Sequence, residues 1–259
     1  MSASLKSHSH GQTMVLTISN PQHRNALGPE IYAAGIEALN VAESSADIRS
    51  VVITGEGSHF CAGGNLQRLQ TNRQQAPDVQ AQSIEGLHNW IETIRAFPKP
   101  VIAAVEGACA GAGFSLALAC DLVVAAQDSV FVMSYSSVAL SPDGGGSWSL
   151  MRALPRATAM QLMLGGERVS AERLYALGVI TQVSDSGDAL HAALAMSEKL
   201  NTRAPNALAS IKELANDALT ETLHTQLRAE REHFVRNLHH ANAGEGISAF
   251  LDKRPATYR

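Results

Sequence analysis

A chain of 259 residues is long enough to bury one large core and too short for two independent enzymes. With 45% apolar residues, 17% charged residues and 20 glycines it has the composition of a globular protein, not of a disordered one. A net charge of -4 without a Lys/Arg cluster argues against phosphate-neutralising nucleic-acid binding, and no apolar run is long enough to span a membrane. Three cysteines, Cys61, Cys109 and Cys120, have no C-x-x-C spacing, so neither a disulfide framework nor a zinc site is indicated. The opening segment is polar and lacks the apolar stretch of a secretory signal, which suits a cytoplasmic location.

In chain order, residues 13–19, 51–54, 101–105, 121–126 and 130–133 are short apolar runs bounded by Gly, Pro, Asn or Asp, and they read as buried strands. Between them lie helical patterns. The clearest is Ile84, Leu87, Ile91, Ile94 and Phe97, spaced at three or four residues and stopped by Pro98. Strands alternating with helices predict an α/β core. From about residue 186 the strand signals end, and the spacing of Leu208, Ile211 and Leu214, then Leu223, Leu227, Phe234 and Leu238, is helical. We therefore expect a core over 1–195 and a helical region over 196–259, without a linker of distinct composition between them.

Two glycine-rich turns, each after a strand and before a helical pattern, stand out. They are Phe60-Cys61-Ala62-Gly63-Gly64-Asn65-Leu66 and Gly107-Ala108-Cys109-Ala110-Gly111-Ala112-Gly113-Phe114-Ser115. Either alone is accounted for by tight helix–strand packing. Brought together, they would offer two free backbone N–H groups to a negative oxygen. Leu116 stands where a dinucleotide fingerprint needs its last glycine, and no phosphate-loop lysine follows either turn. No H-E-x-x-H spacing occurs among the histidines, so neither a nucleotide cofactor nor a metal is expected.

Six motifs in order resemble the enoyl-CoA hydratase/isomerase (crotonase) family. They are Asn20-Pro21-Gln22-His23-Arg24-Asn25-Ala26-Leu27, the two glycine turns, Ser141-Pro142-Asp143-Gly144-Gly145-Gly146-Ser147, the segment from Ala171-Glu172-Arg173 to Gly178-Val179, and Phe250-Leu251-Asp252-Lys253-Arg254. The resemblance implies a crotonase-like spiral of β-β-α units with a C-terminal helical trimerisation region, as a homotrimer or a hexamer. It implies an acyl-CoA thioester substrate, so coenzyme A enters with the substrate and no separate cofactor is needed. The backbone N–H groups of Gly64 and Ala112 would stabilise an enolate. Ala62 would receive the adenine, with Arg24, Ala26, Asn65 and Leu66 beside the nucleotide, while Phe250 and Lys253 would reach a neighbouring subunit's coenzyme A. On the residues alone, Lys253 reads equally as a solvated lysine near the terminus.

Hydratases of the family activate water with two glutamates, and the corresponding positions here are Ser115 and Tyr135, neither a carboxylate base. Tyr135 is then a substrate contact. Asp143 remains as the pocket carboxylate. An aspartate between Pro142 and three glycines could cap the next helix. The alternative, drawn from family isomerases with an aspartate in this loop, is a single acid/base that moves a proton along the acyl chain. His88 aligns with a catalytic histidine of related dehalogenases; it also reads as a boundary residue of its helix, one position off the apolar stripe.

The expectation is double-bond isomerisation by Asp143 in aromatic (phenylacetyl-CoA type) or fatty acid degradation. Hydration or ring-opening hydrolysis by Asp143 with His88 is the alternative. A non-catalytic CoA- or RNA-binding relative is the reading from another class, and a serine hydrolase lacks the G-x-S-x-G elbow.

Overall fold

The computed structural model describes residues 3–259. Its elements, in chain order, begin with β1 (Ser4–His10), β2 (Thr13–Ser19), α1 (Pro29–Ser44), β3 (Ser50–Gly55), α2 (Leu66–Asn72) and α3 (Pro77–Ala96). Next come β4 (Val101–Val105), β5 (Ala108–Ala110), α4 (Ala112–Ala119), β6 (Leu122–Ala126), β7 (Val130–Val132), α5 (Gly146–Ala153) and α6 (Arg156–Gly165). The rest is β8 (Arg168–Ser170), α7 (Ala171–Ala176), β9 (Gln182–Ser184), α8 (Ala189–Asn201), α9 (Pro205–Asp217), α10 (Leu223–Leu238) and α11 (Ala241–Leu251).

The larger sheet has the order β1-β2-β3-β4-β6-β9, parallel throughout except for the β1–β2 hairpin. A smaller sheet, β5-β7-β8, lies beside it. Successive residues of a strand face opposite sides, so each central strand feeds two cores. Val51, Ile53, Val101, Ala103 and Val105 face the main cluster, with Trp90 and Ile94 of α3. Val52, Ile102, Ala104 and Val124 face the other side, where Ala193 of α8 covers them. Burial on both faces is why these strands read as unbroken apolar runs.

The five strands expected from the sequence are all present, while β1, β5, β8 and β9 were not foreseen. β1 is a polar edge strand on which only Leu5 is partly buried, and polar edges carry no apolar alternation to detect. β5, β8 and β9 are three residues each, too short for a periodicity. The change of pattern near residue 195 falls inside α8, a helix packed on the sheet. Beyond it, α9–α11 leave large apolar side chains exposed, among them Ile211, Leu223, Phe234 and Phe250. No helix among the described residues is long and apolar enough to cross a membrane.

The C-terminal tail is tied back onto α11. Glu245 accepts from Arg254 at 2.7 and 2.9 Å and from the Thr257 N–H at 2.9 Å. The Arg254 guanidinium, then the Thr257 amide, hold its carboxyl down to about 2. A depressed carboxyl stabilises the fold above its ordinary value and loses that contribution as pH falls through the folded one. Glu245→Gln is thus expected to lower the thermal midpoint at neutral pH. The gap from the parent should close as pH falls from about 4.5 to about 2, read by melting curves across that range.

Candidate active site

The two glycine turns lie side by side. The Cys61 N–H donates to the Ala108 carbonyl at 3.0 Å, and the Ala110 N–H donates back to the Cys61 carbonyl at 2.9 Å. Their approach depends on two missing side chains. Gly63 has φ +98, and a Cβ there would stand 2.8 Å from the Ala110 carbonyl oxygen. A Cβ on Gly113 would meet the Cys61 carbonyl oxygen at 2.5 Å. The result brings Gly64 and Ala112 to the wall of one cavity of about 460 Å3. Among the described residues, neither N–H donates to a protein acceptor. Ala112 is the first residue of α4, where helix amides are unpaired and the helix dipole favours negative charge.

Tyr135 and Asp143 line the same cavity. The Tyr135 hydroxyl donates to Oδ1 of Asp143 at 2.5 Å. Asp143 does not cap α5, whose first turn has Gly145 at the cap and no side-chain cap bond. It is the one carboxylate among the described residues lining the cavity. Ser115 is fully buried and outside the lining; its hydroxyl donates to the Asp143 backbone carbonyl at 2.9 Å. Burial, and then the charge of Asp143, push the phenols of both Tyr135 and Tyr32 well above their ordinary value. Both therefore remain hydrogen-bond donors at any working pH.

Of the remaining expected residues, His88, Ala62, Asn65 and Leu66 line the cavity. The Asn65 side chain also caps α2, accepting from the Arg68 N–H at 3.1 Å. Arg24 and Ala26 lie outside the lining; Arg24 touches the site through its backbone, its carbonyl accepting from the Ala62 N–H at 2.9 Å. Phe250 and Lys253, at the end of α11, do not line the cavity of their own chain.

The enoyl-CoA hydratase/isomerase family model matches residues 9–259. The chain belongs to the enoyl-CoA hydratase/isomerase family. It is 40% identical to the 1,2-epoxyphenylacetyl-CoA isomerase of Escherichia coli, over 96% of this chain and 95% of that one. It is 31% identical to the 2,3-dehydroadipyl-CoA hydratase of the same organism, over 96% and 95% respectively. The crystal structure of an enoyl-CoA hydratase from Polaromonas sp. JS666 superposes with a TM-score of 0.98 at 71% identity, covering 99% of this chain and 100% of that one.

The observed fold is therefore the expected crotonase-like α/β fold, and the chain is an enzyme of a hydratase/isomerase family that acts on acyl-CoA thioesters. A non-catalytic relative was the wrong reading. The cavity lining also includes residues outside the expected set, among them Tyr32 on α1, Arg68 on α2 and Leu87 on α3. Tyr32 and Arg68 carried no motif, and Leu87 read only as part of a core stripe. Which helical residues face a cavity depends on how each helix is rotated against its neighbours.

Proposed function

We propose that this enzyme isomerises an unsaturated or strained acyl-CoA thioester through an enolate, with Asp143 as the sole acid/base. The thioester oxygen sits between the Gly64 and Ala112 N–H groups. Asp143 removes a proton from the carbon beside the carbonyl, and the C–H electron pair passes into the enolate held by the two amides. The carboxylic acid then returns the proton to a carbon further along the chain, so mass is conserved. One such amide typically contributes about 2.7–4 kcal/mol to the transition state. The observation that carries the reading is that Asp143 alone among the cavity-lining residues described is a carboxylate; by the family resemblance, Ser115 and Tyr135 stand where hydratases carry their glutamates.

The epoxide isomerase relative supports a ring-containing acyl group and a place in aromatic degradation. A cavity near 460 Å3 suits a small acyl group. The exposed apolar side chains of α9–α11 support burial between subunits of a trimer or hexamer. Arg24, Ala26, Ala62, Asn65 and Leu66, with Phe250 and Lys253 of a neighbouring copy, are then the coenzyme A contacts.

The test is mass spectrometry after incubation, in oxygen-18 water, with matched α,β- and β,γ-unsaturated acyl-CoA thioesters and with the ring epoxide of phenylacetyl-CoA. We expect rearranged product of unchanged mass. A product heavier by one water would overturn isomerisation in favour of hydration or hydrolysis. That second reading is favoured by one observation, that His88 lines the same cavity as Asp143.

A further inference from the structure

The two positions that hydratases give to glutamates are both engaged with Asp143. Tyr135 grips the carboxylate, its hydroxyl 2.5 Å from Oδ1. Ser115 grips the backbone, its hydroxyl 2.9 Å from the Asp143 carbonyl oxygen. Each grip is rigidly mounted. Ser115 lies in α4 with no exposed surface, and a Cβ on Gly146 would come within 2.5 Å of its Oγ, so the 143–146 turn closes directly over the hydroxyl. Tyr135 is buried after β7, and its carbonyl accepts from the N–H groups of Val138 and Leu140, each at 3.0 Å.

We propose that Tyr135 is a positioning residue: its phenol occupies Oδ1 of Asp143 and turns the carboxylate so that Oδ2 takes and returns the substrate proton, while Ser115 fixes the backbone beneath. This rests on Asp143 being the acid/base. A carboxylate on a glycine-rich turn is otherwise free to rotate about its terminal torsion, which has no sharp wells. Proton return to a second carbon requires that one oxygen face both carbons while the enolate lasts. A hydrogen bond donated to a charged oxygen is short and strong enough to hold that orientation. No other side chain among the described residues is hydrogen-bonded to the Asp143 carboxylate. Tyr32, Arg68 and His88 line the same cavity, and Glu30 faces Arg68 at 3.6 Å, but none of them is hydrogen-bonded to the Asp143 carboxylate, so none fixes the direction of Oδ2.

The experiment measures kcat, KM and solvent-deuterium incorporation for Tyr135→Phe during isomerisation in D2O. The expected result is a fall in kcat of about tenfold, the scale of one charge-assisted hydrogen bond, with KM within about twofold. The transferred hydrogen should also carry more solvent deuterium, because a turning carboxylate exchanges its proton before returning it. A ring-fluorinated tyrosine at the same position, which keeps the hydroxyl, should restore both readouts.

Wild-type kcat and unchanged deuterium incorporation in Tyr135→Phe would overturn the proposal. So would a loss of kcat matched by a rise in KM at unchanged incorporation, which is what packing damage alone produces. If Tyr135→Phe does not fold, Ser115→Ala loosens the same carboxylate from the backbone side and must raise deuterium incorporation, or the proposal fails. Asp143→Asn separates the two claims. Turnover surviving in it refutes the acid/base assignment itself, whereas an inactive Asp143→Asn beside an unaffected Tyr135→Phe refutes only the positioning role.

Discussion

Asp143→Asn is expected to lower kcat by about three orders of magnitude, within the range of about 10²–10⁴ that a positioned acid/base contributes. Thioester affinity should remain within about twofold, because the lost property is proton transfer, not binding. Asparagine preserves the shape of the side chain. Its amide oxygen can still accept from the Tyr135 hydroxyl, which lies 2.5 Å from Oδ1 in the parent enzyme. Its nitrogen replaces the oxygen that would carry the substrate proton. Steady-state rates from product mass analysis, set beside calorimetric binding of the same thioester, measure the two effects separately. A variant with parental kcat would remove Asp143 from the mechanism.

Gly113→Ala should damage both catalysis and stability. The added Cβ would lie 2.5 Å from the Cys61 carbonyl oxygen and 2.7 Å from the Cys61 Cβ. One of these atoms is backbone hydrogen-bonded to the Ala110 N–H, so it cannot yield cheaply. Relief requires α4 to shift away from the 60–64 segment, and that shift moves the Ala112 N–H off the position proposed for the thioester oxygen. Losing the alignment of one donor costs about 10²–10³ in kcat. Overpacking costs about 1–3 kcal/mol of stability, a fall of several degrees in thermal midpoint for a chain of this size.

Gly244→Ala is the matching control. It lies in α11 with nothing of its own chain within 4 Å of an added Cβ and no positive φ, so activity should hold and stability should stay level or rise. Equal losses in the two variants would mean that the approach of the two turns does not depend on Gly113.

The sequence by itself determined the central strands of the sheet and the pair of turns. Residues 13–19, 51–54 and 101–105 had to become buried strands because both their faces are covered, which removes the polar alternation and leaves continuous apolar runs. The turns were legible because close backbone approach and a left-handed φ at Gly63 leave no freedom of residue type. Asp143 was legible too, as the carboxylate left once Ser115 and Tyr135 stood in the glutamate positions.

Only the tertiary structure decided what those residues touch. Nothing in the spacing of Ser115, Tyr135 and Asp143 announces that a hydroxyl would hold the aspartate's backbone and a phenol its carboxylate. Nor does the spacing of Tyr32 and Arg68 show that α1 and α2 turn them into the cavity. The polar strand β1 is a strand only because β2 lies beside it, and α8 reads as one more helix of the C-terminal region until Ala193 is seen against the back of the sheet. Local sequence sets which face of an element is apolar and where the backbone can bend. Which side chains from distant elements meet is set by how those faces pack, and that is a property of the whole chain.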